Sequence, residues 1–193
     1  MTITQSLRRA RKVSNATLAQ VAAASGVREP NLSTIERGLR HPTTATAERV
    51  GDALGLKFVA VRALGRSSAA EVSAAIALAR ASGDARLAYR QLIQLADDLA
   101  AVDPATRVVL TAEEPERVGD RWDDAVAALV EYRLAEVRAP LPTWVSQRTG
   151  DPEHPWEPER AREPLPFAVE PDLVPEAFRK RGVLIEESEL VSA

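Results

Sequence analysis

A short polar stretch between residues 28 and 34 combines side chains that can read the edges of DNA bases. Asn31 can form two hydrogen bonds with adenine, Glu29 can accept one from cytosine, and Thr34 can contact the methyl group of thymine. Arg28 precedes them and belongs to the same polar set. The chemistry that these residue types offer at this spacing is sequence-dependent contact with a DNA duplex.

A second polar set follows within ten residues. Arg37, Arg40 and His41 suit phosphate oxygens, which fix the position of a protein on DNA without reading its sequence. Thr43 and Thr44, at the start of a helix, would offer hydroxyl and backbone N–H groups to a further phosphate. The predicted DNA contacts are therefore Arg28, Glu29, Asn31, Thr34, Arg37, Arg40, His41 and Thr43.

Four predicted helices must position these residues. Apolar periodicity and capping residues predict helices at residues 3–13, 18–24, 29–37 and 42–54. Thr17 is the predicted N-cap of the second helix, and Gly26 supplies the turn before the third. The apolar residues spaced to form one small core are Val21, Val27, Leu32, Ile35, Val50 and Leu54. Such a core holds the second and third helices at the angle that seats the third in the major groove.

One continuous string across the turn and the third helix is specific: Ser25-Gly26-Val27-Arg28-Glu29-Pro30-Asn31-Leu32-Ser33-Thr34-Ile35-Glu36-Arg37-Gly38. It is followed by His41-Pro42-Thr43 and by Ala53-Leu54-Gly55. With these motifs, residues 3–56 resemble the XRE/phage-repressor family of helix-turn-helix proteins. The resemblance implies a DNA-binding domain over residues 1–56 that binds operator DNA and regulates transcription. It also implies that Arg28, Glu29, Asn31 and Thr34 occupy base-reading positions.

Two positions depart from the family pattern. The family often has glutamine where this chain has Leu18, and Gln20 lies two residues further on. Pro30 occupies a position that is usually able to form a hydrogen bond. Both departures concern docking on DNA, so the fold is expected to be unchanged. Glu36 is expected to pair with an arginine, and the basic residues of the first helix are expected to be solvated: Arg8, Arg9, Arg11 and Lys12.

The net charge of −3 conceals two halves of opposite sign. Residues 1–66 contain 11 Lys and Arg against 4 Asp and Glu, a formal charge of +7. Residues 67–193 contain 14 against 24, a formal charge of −10. The first part suits a polyanion and the second would be repelled by one, which favours two separate roles.

Residues 57–66 are interpreted as a dimerisation strand and hinge. The run from Leu56 to Arg62 is rich in β-branched and aromatic residues, which favours a strand, and Gly65 to Ser68 favours a hinge. Because a lone strand is not stable, we expect it to pair with the same strand of a second copy. A homodimer of this kind would set two recognition helices about one DNA turn, ~34 Å, or a multiple apart.

Residues 67–193 are predicted to form a second, mainly helical domain. Helical periodicity runs through residues 69–101, 104–110 and 121–138, with a break at Ser82-Gly83-Asp84. Nine of the thirteen prolines lie between residues 140 and 175, which excludes long regular elements there. Large aromatic side chains nevertheless occur in and beside this segment: Trp144, Trp156, Phe167 and Phe178. We therefore expect a proline-rich segment that wraps over the helices with its aromatic rings inward.

Three roles compete for the second domain. Its motifs include Gly119-Asp120-Arg121-Trp122-Asp123, Leu141-Pro142-Thr143-Trp144-Val145 and Phe178-Arg179-Lys180-Arg181-Gly182-Val183. These resemble a tail found on XRE-type proteins, and the resemblance implies an autorepressing antitoxin that neutralises a nucleotidyltransferase-like toxin. The alternatives are a stand-alone regulator whose second domain senses a small ligand, and a purely structural oligomerisation domain.

Other classes of protein are disfavoured by what the sequence lacks. There is no cysteine and there are only two histidines, His41 and His154, so neither a disulfide framework nor a metal site is expected. No nucleophile elbow, phosphate loop, zinc-protease motif or dinucleotide fingerprint occurs, so we expect no enzyme and no cofactor. The chain has no signal-peptide pattern and no run of ~20 apolar residues, which favours a cytoplasmic protein without a membrane partner.

Overall fold

A computed structural model describes residues 3–160 and 168–191, which separate into two compact units. The first unit ends at Ala60 and the second begins at Val61, inside the segment 57–66 that the sequence separates from both domains. Four helices build the first unit: α1 (Ile3–Val13), α2 (Leu18–Ser25), α3 (Glu29–Glu36) and α4 (Thr44–Ala53). All four helices predicted in this region are confirmed, with boundaries that differ by at most two residues.

A reciprocal capping box fixes the start of α2. The Thr17 hydroxyl accepts a hydrogen bond from the Gln20 backbone N–H at 3.2 Å. The Gln20 side chain accepts one in turn from the Thr17 N–H at 2.8 Å. Thr17 is therefore the N-cap that the sequence predicts, and Gln20 is used to begin the helix. Gly26 ends the helix with φ of +68°, a left-handed conformation that glycine adopts at little cost.

The core of the first unit contains five of the six predicted residues. Val21, Val27, Leu32, Ile35 and Val50 are buried, together with Leu7 of α1. Leu54 is half-buried and packs against this cluster. Apolar burial from all four helices therefore sets the angle at which α3 follows α2.

An ion pair joins the first and third helices. The Arg11 guanidinium donates to both carboxylate oxygens of Glu36, each at 2.7 Å, and also to the Ala16 carbonyl at 3.1 Å. Glu36 is therefore structural, as the sequence predicts, whereas the expectation that Arg11 is solvated is wrong. The reason is that Arg11 and Glu36 meet across the core, where a paired carboxylate can be buried.

Residues 57–62 have neither helix nor strand structure within the chain. None of their backbone N–H groups forms a hydrogen bond with a described residue. Phe58 packs on Gly51, where an added Cβ would lie 2.6 Å from the Phe58 ring, whereas Val59 is exposed. The dimerisation strand is not present in a single chain, and self-pairing stays a prediction.

The region predicted as a hinge is anchored where it enters the second unit. Buried Asp98 accepts hydrogen bonds from the Arg66 side chain at 3.2 Å and from the Ser67 backbone N–H at 2.8 Å. Ser68 then forms a capping box with Glu71. Residues 66–68 are therefore held in place, whereas the backbone N–H groups of residues 57–62 have no partner among the described residues.

The second unit is helical and is built around one central helix. Its longer helices are α5 (Ala69–Ala81), α6 (Ala85–Ala100), α7 (Pro104–Ala112) and α8 (Trp122–Glu136). Periodicity predicts α8 to be amphipathic, but six consecutive residues, Ala125–Val130, are all buried. The reason for the difference is that α5, α6, α7 and two short later helices pack around α8. None of the described helices is both long and apolar enough to cross a membrane.

Among the described residues, only short elements follow α8, as the proline density predicts. They are α9 (Thr143–Ser146), a 3₁₀ turn (Pro171–Leu173), α10 (Glu176–Arg179) and α11 (Glu187–Leu190). Trp144 and Phe178 are buried, and Trp156 lies edge-on to Trp122 with ring centroids 5.1 Å apart. Phe167 lies outside the described residues, so the wrapping segment as a whole stays a prediction.

Candidate DNA interface

Helix α3 presents a face that its own core does not use. Leu32, Ile35 and Glu36 are its buried residues. At 100° per residue, the positions opposite them have the spacing i, i+3, i+4 and i+7. They are Pro30, Ser33, Thr34 and Arg37. Sequence reasoning identified Thr34 and Arg37 on this face but not Ser33, whose helical spacing from Thr34 was the available signal.

The two predicted contact residues on this face have internal partners. The Thr34 hydroxyl donates to the Pro30 carbonyl at 2.7 Å, and the Arg37 Nε donates to the Ser33 carbonyl at 3.4 Å. The Thr34 hydroxyl is therefore already used, and the methyl group is what this residue can offer to a thymine. Arg37 remains exposed and keeps its terminal nitrogens for a phosphate.

A concave surface of about 200 Å³ lies beside this face, between the start of α3 and the start of α4. Five of the eight predicted contact residues line it: Arg28, Asn31, Arg40, His41 and Thr43. Glu29, Thr34 and Arg37 are not among its lining residues. The structure therefore divides the predicted contacts into two groups, one around the concavity and one outside it.

Two further residues of α4 complete the concavity. Arg49 and Thr46 line it, and sequence reasoning identified neither. Thr46 lies one turn after Thr43, so its side chain returns to the same end of the helix. Arg49 is exposed in the next turn and is separated from Arg40 by nine residues of chain. Only the path of the loop before α4 brings these two arginines together, and no local sequence pattern signals such an approach.

Thr43 has a structural role at the edge of the concavity. It is the N-cap of α4, and its hydroxyl accepts from the Thr46 backbone N–H at 3.3 Å and lies 2.9 Å from the Thr46 hydroxyl. This capping satisfies one of the free N–H groups of the helix start. At Thr43 and Thr44, the remaining backbone N–H groups of the first turn can bind an anion.

The concavity is electrostatically one-sided. Its lining includes Arg28, Arg40 and Arg49 but no aspartate or glutamate. Of the two carboxylates of α3, exposed Glu29 is not among the lining residues, and Glu36 is buried and already paired with Arg11. The hydrogen bond from Arg11 to Glu36 raises the pKa of Arg11 above its ordinary value, so this guanidinium stays charged. A surface whose lining has cations, an amide and hydroxyls but no carboxylate suits nucleic acid phosphates.

Comparison with known proteins identifies the first unit. Residues 4–64 match the family described as "Helix-turn-helix domain", which covers less than a third of the chain. No curated protein and no solved structure matches this chain. The match includes α1 to α4 and the whole concavity. Residues 4–64 are thus a helix-turn-helix domain, consistent with an XRE-type family.

Proposed function

We propose that this protein is a sequence-specific DNA-binding transcriptional regulator. The observation that carries the proposal is the concavity beside α3, which gathers Arg28, Arg40 and Asn31 without any carboxylate. Cations there would hold the duplex backbone, while the outward face of α3 would contact base edges in the major groove. The role is binding and not catalysis.

The test is selection of duplexes from a random pool by the full-length protein, followed by titration of the selected and a scrambled duplex. We expect enrichment of one sequence and affinity for it at least about a thousandfold above that for the scrambled duplex. Both affinities should fall linearly with the logarithm of salt concentration. The double variant Arg28→Ala, Arg40→Ala tests the concavity itself and should lose affinity for both duplexes. Failure to enrich any sequence would contradict the proposal.

We also infer that the regulator acts as a homodimer through residues 57–62. Within the part of the chain that the structure describes, the six backbone N–H groups of residues 57–62 have no partner, and the run contains Phe58, Val59 and Val61. Such a run is suited to pairing with a second copy. Light scattering at micromolar concentration should give twice the monomer mass. Val59→Pro should abolish pairing because it removes an N–H, whereas Val59→Thr keeps the N–H and should remain dimeric. A monomeric wild-type protein would overturn the inference.

A second candidate role is that of an autorepressing antitoxin. The observation that favours a protein partner is a depression of about 340 Å³ in the second unit. Leu173 and Val191, both more than half exposed, line it together with Asp172 and Glu187. Exposed apolar groups among carboxylates suit a partner with a basic rim and an apolar centre. Co-expression with the product of a neighbouring gene tests this role, since the antitoxin should restore growth that the neighbour alone arrests. A neighbouring gene product that does not arrest growth would contradict the antitoxin role.

The alternative is a stand-alone regulator whose second unit senses a small ligand. A depression of about 250 Å³ lined by Arg80, Asp120, Trp122 and Trp156 combines aromatic rings with charged groups, as ligand sites do. At least one compound of a panel of small metabolites should then raise the unfolding temperature of the wild-type protein. Trp156→Ala should remove that increase. If no compound in the panel stabilises the protein, the antitoxin role is favoured over this one.

A further inference from the structure

The arginines of the concavity, like exposed Arg8 of α1, have no side-chain partner among the described residues, but they differ from Arg8 in sharing one surface. Among the described residues, Arg28, Arg40 and Arg49 line one surface, yet no hydrogen bond or ion pair is found for any of their guanidinium groups. Arg11 of the same unit, in contrast, has Glu36, and Arg37 has the Ser33 carbonyl. Three cations that share a concavity without a counter-ion repel one another, and a bound anion would relieve that repulsion.

The size and lining of the concavity specify the anion. About 200 Å³ is room for roughly six water molecules at ~30 Å³ each, so a tetrahedral phosphate group fits with water to spare. Guanidinium groups match phosphate oxygens in pairs, and the Asn31 amide adds neutral hydrogen-bonding groups. The exposed side chains of the three arginines can adjust their positions around such a group without disturbing the core.

We infer that Arg28, Arg40 and Arg49 form a phosphate clamp that holds a backbone phosphate of the duplex. The inference rests on the proposed function and deepens it. Arg28 becomes a phosphate contact in place of its expected role as a base reader, and Arg49 becomes a DNA contact. Arg37, outside the concavity, is a separate contact from the clamp.

The first arm of the test titrates the full-length wild-type protein and Arg49→Ala on the selected and the scrambled duplex at several salt concentrations. We expect Arg49→Ala to lose about tenfold on both duplexes alike, the lower end of what a charge-assisted hydrogen bond contributes. The slope of affinity against salt should decrease by about one. Arg49→Lys should recover part of the loss because it keeps the charge but not the fork.

The matched control is Arg8→Ala, which removes the same charge from an exposed position of α1. It accounts for general electrostatic steering, so it should cause a much smaller loss than Arg49→Ala. Equal losses for the two variants overturn the clamp. Circular dichroism should show both variants folded, since neither side chain is buried.

The second arm distinguishes a duplex phosphate from a free phosphorylated small molecule. Thermal unfolding is followed in inorganic phosphate and in sodium chloride at equal ionic strength. Stabilisation by phosphate in the wild type but not in Arg49→Ala supports a clamp that also accepts free phosphate. A duplex effect without phosphate stabilisation supports a clamp that needs the duplex. Wild-type protein that binds no duplex contradicts the proposed function, and phosphate stabilisation would then still support the anion site.

Discussion

The two units use arginine in opposite ways. In the first, Arg28, Arg40 and Arg49 are exposed and unpaired among the described residues. In the second, buried or half-buried arginines donate to main-chain carbonyls and so join segments that are distant in sequence. These are Arg107 to Arg133, Arg121 to Gly182, Arg133 to Ala96, Arg148 to Pro115 and Arg181 to Val145. The same side chain is available for an external anion in one unit and is consumed as an internal donor in the other.

The difference shows why net charge alone is a poor guide to function. The second part of the chain is acidic, yet its buried arginines donate to main-chain carbonyls. They thereby supply hydrogen bonds that irregular, proline-rich segments do not obtain from regular secondary structure. Arg181 illustrates this, since three of its nitrogens donate to the carbonyls of Arg148, Ala177 and Val145 at 2.7 to 3.0 Å. Removing the Arg181 side chain should therefore affect folding and not DNA recognition.

The largest effect is expected from Arg181→Met. This change removes the side-chain donor of three carbonyls and the ion pair with Glu131, which should lower the free energy of unfolding by about 3–5 kcal/mol. Arg179→Met is the matched control, because Arg179 is exposed and its partner among the described residues is the exposed Glu176. Urea denaturation measures both. If the two variants unfold at the same urea concentration, the contrast between the units is wrong.

A somewhat smaller effect is expected from Arg11→Ala in the first unit. Arg11 is the exception there, since it acts internally by pairing with buried Glu36. Its loss should lower the free energy of unfolding by about 1.5–3 kcal/mol, because a buried carboxylate loses its charged donor. Arg8→Ala, on the exposed side of the same helix, should change it by less than about 0.5 kcal/mol. Equal stability of the two variants would show that the Arg11 pair contributes nothing to the fold.

Asn31→Ala should sharpen the contrast within the DNA interface. A base contact contributes about 1–3 kcal/mol of discrimination, so the variant should weaken binding to the selected duplex and leave the scrambled duplex almost unaffected. Arg40→Ala, which removes a phosphate contact, should weaken both equally. Anisotropy titrations of the two variants on the two duplexes decide. Asn31→Ala losing equally on both would mean that Asn31 does not read a base, and that it belongs with the clamp.

The smallest effect concerns pH and two of the capping boxes, Thr17 with Gln20 and Ser68 with Glu71. In the second unit, hydrogen bonds from Ser68 hold the pKa of Glu71 below its ordinary value. A carboxylate with a lowered folded pKa contributes stability above its unfolded pKa and loses it as the pH falls through the folded pKa. The corresponding residue in the first unit is the neutral Gln20, so that box should be insensitive to acid. Glu71→Gln should remove a few tenths of a kcal/mol of the acid dependence of unfolding. An unchanged acid dependence would contradict this.

Local features of the fold were predictable, because capping residues, glycines and apolar spacing act over a few residues. Thr17, Gly26 and the break at residues 82–84 all mark helix ends as the sequence predicts. Long-range approaches were not predictable. The parallel bridge between Trp156 and Val183 has no local pattern, and the burial of α8 on all sides depends on which helices pack against it.

The candidate site shows the same division between local features, which were predictable, and long-range approaches, which were not. The sequence identified side chains of the turn, α3 and the loop after it, because the family string is continuous there. It missed Arg49, which reaches the concavity only through the path of the chain between α3 and α4. It also took Arg11 to be solvated, since its ion-pair partner is 25 residues away.

The unpaired segment 57–62 also bears on how such a protein can be remodelled over evolutionary time. Exposed backbone whose N–H groups have no partner among the described residues is where insertions, cuts and exchanges of neighbouring domains disturb least. The anchor at Asp98 begins only at Arg66, so a recombination point between residues 57 and 62 would leave each hydrophobic core and its caps whole. A helix-turn-helix domain that is joined through such a segment can be combined with a different second unit, and the second unit can be combined with a different helix-turn-helix domain.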